Sequence, residues 1–215
     1  MTLDQWITRV AKPTLFILAL VPAALLVSDT LTDHLGANPI EAITHRTGDW
    51  TLRFLLLTLA ITPLRRLTRW HALIRLRRML GLYAFFYALL HFLTYVVLGQ
   101  ELDPTAMVDD VMKHPYVMVG FAAFVGLIPL AATSTNGMVR RLGGRRWQRL
   151  HRLVYLIAVS GVLHYAWLVK ADLRDPLFYG ALLAMLLGYR LWYTLKQKLP
   201  VRRVIPIFPS RGEAG

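Results

Sequence analysis

Six apolar runs divide this chain, and the charge of the stretches between them alternates. The runs cover roughly Thr14–Ser28, Leu52–Leu64, Met79–Leu98, Tyr116–Ala132, Leu153–Val169 and Leu177–Trp192. Several approach the length that spans the hydrocarbon of a bilayer. In lipid every backbone N–H and C=O must pair within its own segment, so the runs are expected to be helices. Arg53, near the outer end of the short second run, can snorkel to the interface. Pro22 and Pro63 are expected to kink or end their helices. The fold expected is an all-α membrane protein, a six-transmembrane-helix bundle.

Orientation follows from where the bases lie. Arg9 and Lys12 precede the first run, six arginines lie between Arg65 and Arg78, and six more between Arg140 and Arg152. Lys196, Lys198, Arg202, Arg203 and Arg211 follow the last run. The other three connections carry acids: Asp29, Asp33, Glu41 and Asp49, then Glu101, Asp103, Asp109 and Asp110, then Asp172 and Asp175. By the positive-inside rule both termini are cytoplasmic. Residues 1–195 then form one transmembrane domain and residues 196–215 a cytoplasmic tail, which is rich in Pro and Gly. The first run follows a basic flank and precedes a loosely cleavage-like Pro22-Ala23-Ala24, but it continues through Leu25, Leu26 and Val27 and is read as a retained span.

Composition narrows the chemistry. The 215 residues are 56% hydrophobic and 17% charged, with a mean hydropathy of +0.46. The net charge of +13 could suggest nucleic acid, but the arginines cluster between apolar runs instead of covering a folded face. The bilayer is therefore the expected partner, and no nucleic acid. With no cysteine, thiolate metal sites, iron–sulfur clusters and disulfides are excluded. Neither a G-x-G-x-x-G fingerprint nor a P-loop is present.

Seven histidines remain to be sorted. His34, His45, His71 and His114 fall in connections, where a solvated imidazole is ordinary. His91 and His164 lie inside apolar runs. His91 follows Arg78 by 13 residues and His164 follows Arg152 by 12. Both runs lead outward, so both imidazoles sit about 18–20 Å from the inner boundary. An imidazole in lipid is expensive unless paired or ligated. Two at one depth on neighbouring helices can hold one heme iron from both sides, and the depth match favours this over hydrogen bonding to Ser160, Thr94 or Tyr95. Zinc lacks a third ligand at that depth.

His151 lies 13 residues before His164 and about 140° away around an ideal helix. The corresponding inner position on the third run is Arg77, which cannot ligate iron but can hold a propionate or phosphate. His151 is either a ligand of a second heme or an interfacial cation and propionate partner. The aromatics near His91 and His164, such as Phe92, Tyr95 and Tyr165, suit packing and interface belts as well as a heme lining.

Three segments carry a resemblance: RLRRMLGLYAFFYALLHFLTY (Arg75–Tyr95), TSTNGMVRRLGGRRWQRLHRLVYL (Thr133–Leu156) and HYAW (His164–Trp167). They resemble the MsrQ (YedZ) family, the heme-binding membrane subunits of the bacterial methionine-sulfoxide reductase system. More distantly they are similar to the six-helix heme domains of ferric reductases and NADPH oxidases. The resemblance reaches from the first run to about Leu195. It implies a multi-pass inner-membrane subunit that passes electrons outward, with catalysis of methionine-sulfoxide reduction on a separate periplasmic molybdopterin partner. It implies b-type heme and FMN, with the quinone pool or a cytosolic flavin reductase as donor. Heme ligation carries over onto His91 and His164, and onto His151 if a second heme is bound. Arg77, Arg78 and Arg145 are the cytoplasmic residues that could hold an FMN phosphate or heme propionates; topology signalling and lipid binding explain them too. Without a fused dehydrogenase module, an external donor is expected. Two readings stay open beside this one: a membrane ferric reductase serving external metal, and a carrier or assembly protein with structural histidines and no heme.

Overall fold

The structure, a computed structural model, describes residues 3–169 and 172–198; the expected tail beyond Lys198, with Arg202, Arg203 and Arg211, lies outside the described residues. Among the described residues the chain is helical and contains no strand. Short α1 (Leu3–Trp6) runs through a π-helical segment, Ile7–Ala11, into α2 (Lys12–Leu31). Next come α3 (Pro39–Thr68) and α4 (Ile74–Leu93), which continues as a second π-helical segment, Thr94–Gly99. Then follow α5 (Pro104–Lys113), α6 (Pro115–Ala132), α7 (Asn136–Leu142), α8 (Gly144–Leu150), α9 (Leu153–Val169) and α10 (Arg174–Lys198).

Local chemistry sets several of these boundaries. Asn38 caps α3 by accepting from the Glu41 N–H while its amide donates to the Glu41 carboxylate, with Pro39 at the first helical position. Asp103 caps α5 in the same manner, accepting from the N–H groups of Thr105 and Ala106 ahead of Pro104. At the end of α3, Arg69 turns the chain in a left-handed conformation with φ of 58°.

Among the described residues, four stretches are long and apolar enough to cross a membrane: Asp4–Leu31, His71–Gly99, Pro115–Ala132 and Gly144–Val169. They correspond to the first, third, fourth and fifth expected runs. The second and sixth fall within α3 and α10, of 30 and 25 residues, which are long enough but carry more charge. In α3 the reason is positional, because it is the central helix, packed against α2, α4, α9 and α10. Its middle buries Leu52, Phe54, Leu55, Leu56 and Leu59 together with Thr47 and Thr58. Leu59, Ala84 and Ala158 have no exposed surface, so α3, α4 and α9 close tightly there. Apolar side chains such as Leu57, Leu156 and Phe178 face outward, a surface that suits hydrocarbon better than water. The protein is a multi-pass, all-helical membrane protein.

Pro22 and Pro63 end neither helix. A proline removes one N–H from the helical ladder and opens the turn before it. Beside Pro22, the Tyr87 hydroxyl inserts into that opening, donating to Ala19 O at 2.7 Å and accepting from Ala23 N at 3.2 Å. Tyr83 donates to Phe16 O one turn away. Pro63 deprives the Leu59 carbonyl of its helical donor, and the Arg190 guanidinium of α10 donates to that carbonyl instead. Arg190 also donates to the Tyr155 hydroxyl at 2.8 Å. A side chain from another helix thus replaces the donor lost at Pro63, and another bridges the backbone beside Pro22, as suits a lipid-embedded backbone.

Candidate functional site

α4 and α9 bring His91 and His164 together. Their ring centres are 6.1 Å apart and the ring planes cross at 82°. An imidazole nitrogen binds a metal at about 2 Å and lies roughly 1 Å from its ring centre, so two rings gripping one ion from opposite sides have centres about 6 Å apart. The observed spacing matches that arrangement.

Each ring is oriented by a backbone carbonyl. His91 Nδ1 lies 2.9 Å from Thr44 O, with Thr47 Oγ1 at 3.5 Å, and His164 Nδ1 lies 2.7 Å from Tyr116 O. A carbonyl only accepts, so in both residues Nδ1 carries the proton and donates, which leaves the Nε2 lone pair free for a metal. The alternative partners weighed from sequence are occupied elsewhere: Tyr95 donates to Asp110 and Thr94 to Leu90 O. Ser160 makes no hydrogen bond to either ring among the described residues.

The pair lines a cavity of ≈ 320 Å³, within the range of cofactor sites. Its walls are apolar, with Leu55, Ala88, Phe124, Leu127 and Ile157, and its polar groups collect at the α5 end, with His45, Asp49, Tyr95, Asp110 and Tyr116. Gly48 and Gly120 also line it, each against one of the imidazoles. A flat, mostly apolar ring with a polar edge and a central metal fits this donor set and lining. From α5, Asp110 reaches the lining and accepts from Tyr95 Oη at 2.8 Å, Gln100 Nε2 at 3.3 Å and His114 Nδ1 at 2.7 Å. Arg53 is held nearby by Asp49 at 3.4 Å and the Tyr179 hydroxyl at 2.9 Å.

His151 stands apart from this site. It follows α8, does not line the cavity, and its Nε2 lies 3.0 Å from Thr133 Oγ1. Its ring stacks on Trp147 at 3.9 Å, and the Trp147 indole N–H donates to Thr133 O at 2.9 Å. Arg77 and Arg78, from the start of α4, act electrostatically on the same ring. Arg78 donates to Asn136 Oδ1, and Arg145 is exposed on α8. The arginine-rich end therefore gathers His151, Arg77 and Arg78 around Trp147 and Thr133, separately from the His91–His164 pair. Among the described residues no cluster of three or more His, Asp or Glu could hold a metal ion, so any metal at the pair must bring further ligands of its own.

Sequence reasoning missed the carbonyl acceptors and the two glycines. Backbone acceptors leave no side-chain signature. Gly48 and Gly120, as helical glycines at the level of the histidines, were a readable signal of close approach.

The chain is similar to known membrane proteins. Residues 47–162 match the family model described as ferric reductase like transmembrane component. The chain is 59% identical over 189 residues to the protein-methionine-sulfoxide reductase heme-binding subunit MsrQ of Herminiimonas arsenicoxydans, covering 87% of each chain. It is 57% identical to the protein of that name from Ralstonia nicotianae, covering 86% of each. With the one from Azospira oryzae the identity is 53%, over 83% of this chain and 77% of that protein.

Proposed function

This chain belongs to the MsrQ family of ferric reductase-like membrane proteins, and from that premise we propose that it is the heme-binding, electron-carrying subunit of a protein-methionine-sulfoxide reductase system. The observation that carries this reading is the paired commitment of His91 Nδ1 and His164 Nδ1 to backbone carbonyls, which leaves Nε2 free on two half-buried imidazoles whose ring centres are 6.1 Å apart. His91 and His164 hold one b-type heme. When bound, such a heme supplies one-electron redox chemistry.

The surrounding residues define what the site does with it. Held by both histidines, such a heme would have no position left for oxygen or substrate, and the protein would act as a conduit. The apolar walls around Phe124, Leu127 and Ile157 exclude water, while Tyr95 and Asp110 cover the α5 end. Methionine-sulfoxide reduction takes place on a separate periplasmic molybdopterin partner, which meets the acid-bearing connections at that end.

The finer topology belongs to the same proposal. Residues 1–195 form a six-span domain in the bacterial inner membrane, with α3 and α10 as the two charged spans and both termini cytoplasmic. Residues 196–215 are a cytoplasmic tail. Arg77, Arg78 and Arg145 at the cytoplasmic face bind an FMN phosphate, and the quinone pool or a cytosolic flavin reductase supplies electrons there. His151 sits at this entry side, where ligating a second heme through Nε2 would mean giving up Thr133.

Reduced-minus-oxidised absorption of the purified protein tests the reading. A b-type α-band, reoxidised on addition of the periplasmic molybdenum partner, is the expected result. Absence of any heme band contradicts it.

A further inference from the structure

The two imidazoles are seated by matching devices on different helices. On α3, Thr44 supplies the carbonyl for His91 Nδ1, and Gly48, one turn later, faces the same ring. On α6, Tyr116 and Gly120 stand in the same relation to His164. In both pairs the acceptor and the glycine are four residues apart and share one helix face.

Neither glycine is needed for its backbone conformation. Both lie within α-helix without positive φ, where glycine is a poorer helix former than alanine. Space explains them instead. A Cβ on Gly48 would stand 3.2 Å from His91 Cε1 and 3.3 Å from its Nδ1. On Gly120 it would stand 2.7 Å from His164 Nδ1 and 2.8 Å from Cε1, closer than non-bonded atoms approach. The His164 ring cannot retreat from such a methyl without straining its 2.7 Å bond to Tyr116 O.

We propose that Gly48 and Gly120 are positioning residues: each, with the carbonyl one turn before it, fixes the plane of one imidazole, and together they hold the two planes crossed. The proposal rests on the heme reading of the His91–His164 pair. It adds an electronic consequence. An axial imidazole interacts through its π system with iron d orbitals in one plane, so parallel rings split those orbitals and crossed rings cancel the splitting. With heme bound, planes held at 82° would leave the two orbitals nearly degenerate and give a ferric low-spin signal with unusually anisotropic g values.

Electron paramagnetic resonance of the full-length, heme-loaded protein in its ferric state reads this directly. The variants are G48A, G120A and G126A. Gly126→Ala is the packing control: its Cβ would meet Ile157 at 3.2 Å, the same approach as Gly48 to His91, but touches no imidazole. The wild-type and G126A proteins are expected to share one strongly anisotropic low-spin signal. G120A is expected to lose it, giving a less anisotropic or high-spin signal, and G48A to shift it by less. Should G120A fail to accumulate, the comparison of G48A with G126A carries the test. Wild-type spectra from G48A, and from G120A where it is obtained, with full heme content, overturn the proposal. Wild-type protein whose heme gives no low-spin signal overturns the ligand reading itself, and the clamps with it.

Discussion

Arg190 on α10 donates to the carbonyl of Leu59 on α3, the group that Pro63 leaves without a helical donor. A half-buried arginine in an apolar bundle is thereby accounted for as a repair. Replacing it with Met should destabilise the protein by about 1–3 kcal/mol, the usual effect of orphaning a buried acceptor. Pro63→Ala restores an N–H for Leu59, so Arg190→Met should be less harmful in that background. Thermal unfolding in detergent of the four proteins of this cycle measures the coupling, and strict additivity contradicts the repair.

Tyr87, 1% exposed, serves two backbone groups beside Pro22, whereas Tyr83 serves one. Tyr87→Phe is expected to lower stability by about 1–3 kcal/mol and to exceed Tyr83→Phe. Equal effects in the same unfolding assay would show that the hydroxyl is not bridging the opened turn.

Asp110 gathers three donors and ties α5 to the end of the preceding helix beside the cavity. Asp110→Asn should speed amide hydrogen exchange across Pro104–Lys113 while leaving the absorption spectrum of the bound heme unchanged. Unaltered exchange in that segment means that other contacts hold α5 in place.

His151→Ala removes a ring stacked on Trp147 and bonded to Thr133, away from the cavity. The heme held by His91 and His164 should persist at about one per chain in a pyridine hemochrome assay. A drop from two hemes to one identifies His151 as a ligand of a second site.

Much of this was legible in advance, for physical reasons that also mark the limits. His91 and His164 could be matched because rise per residue converts sequence distance from an arginine boundary into depth. The carbonyls of Thr44 and Tyr116 could not, since any helical residue offers the same acceptor until the fold chooses one. Run length recovered α2, α4, α6 and α9 but understated α3, whose polar first half from Pro39 to Thr51 continues the same helix. Apolarity marks what faces lipid, and α3 is surrounded by other helices instead. α5 was hidden within an acid-bearing connection, and the π-helical segments at Ile7–Ala11 and Thr94–Gly99 have no periodicity distinct from α-helix over so few residues. Both prolines were visible as breaks, but Tyr87 and Arg190 reach them from 64 and 131 residues away in sequence.

The central claim is that His91 and His164 are the two axial ligands of one heme. Heme-to-protein ratio and reduced-minus-oxidised absorption, measured on wild-type, His91→Ala and His164→Ala proteins purified alike, test it most directly. The account predicts a b-type spectrum in the wild type and loss of most of that heme in each variant, with helix content by circular dichroism retained. Full heme content in both variants would contradict it.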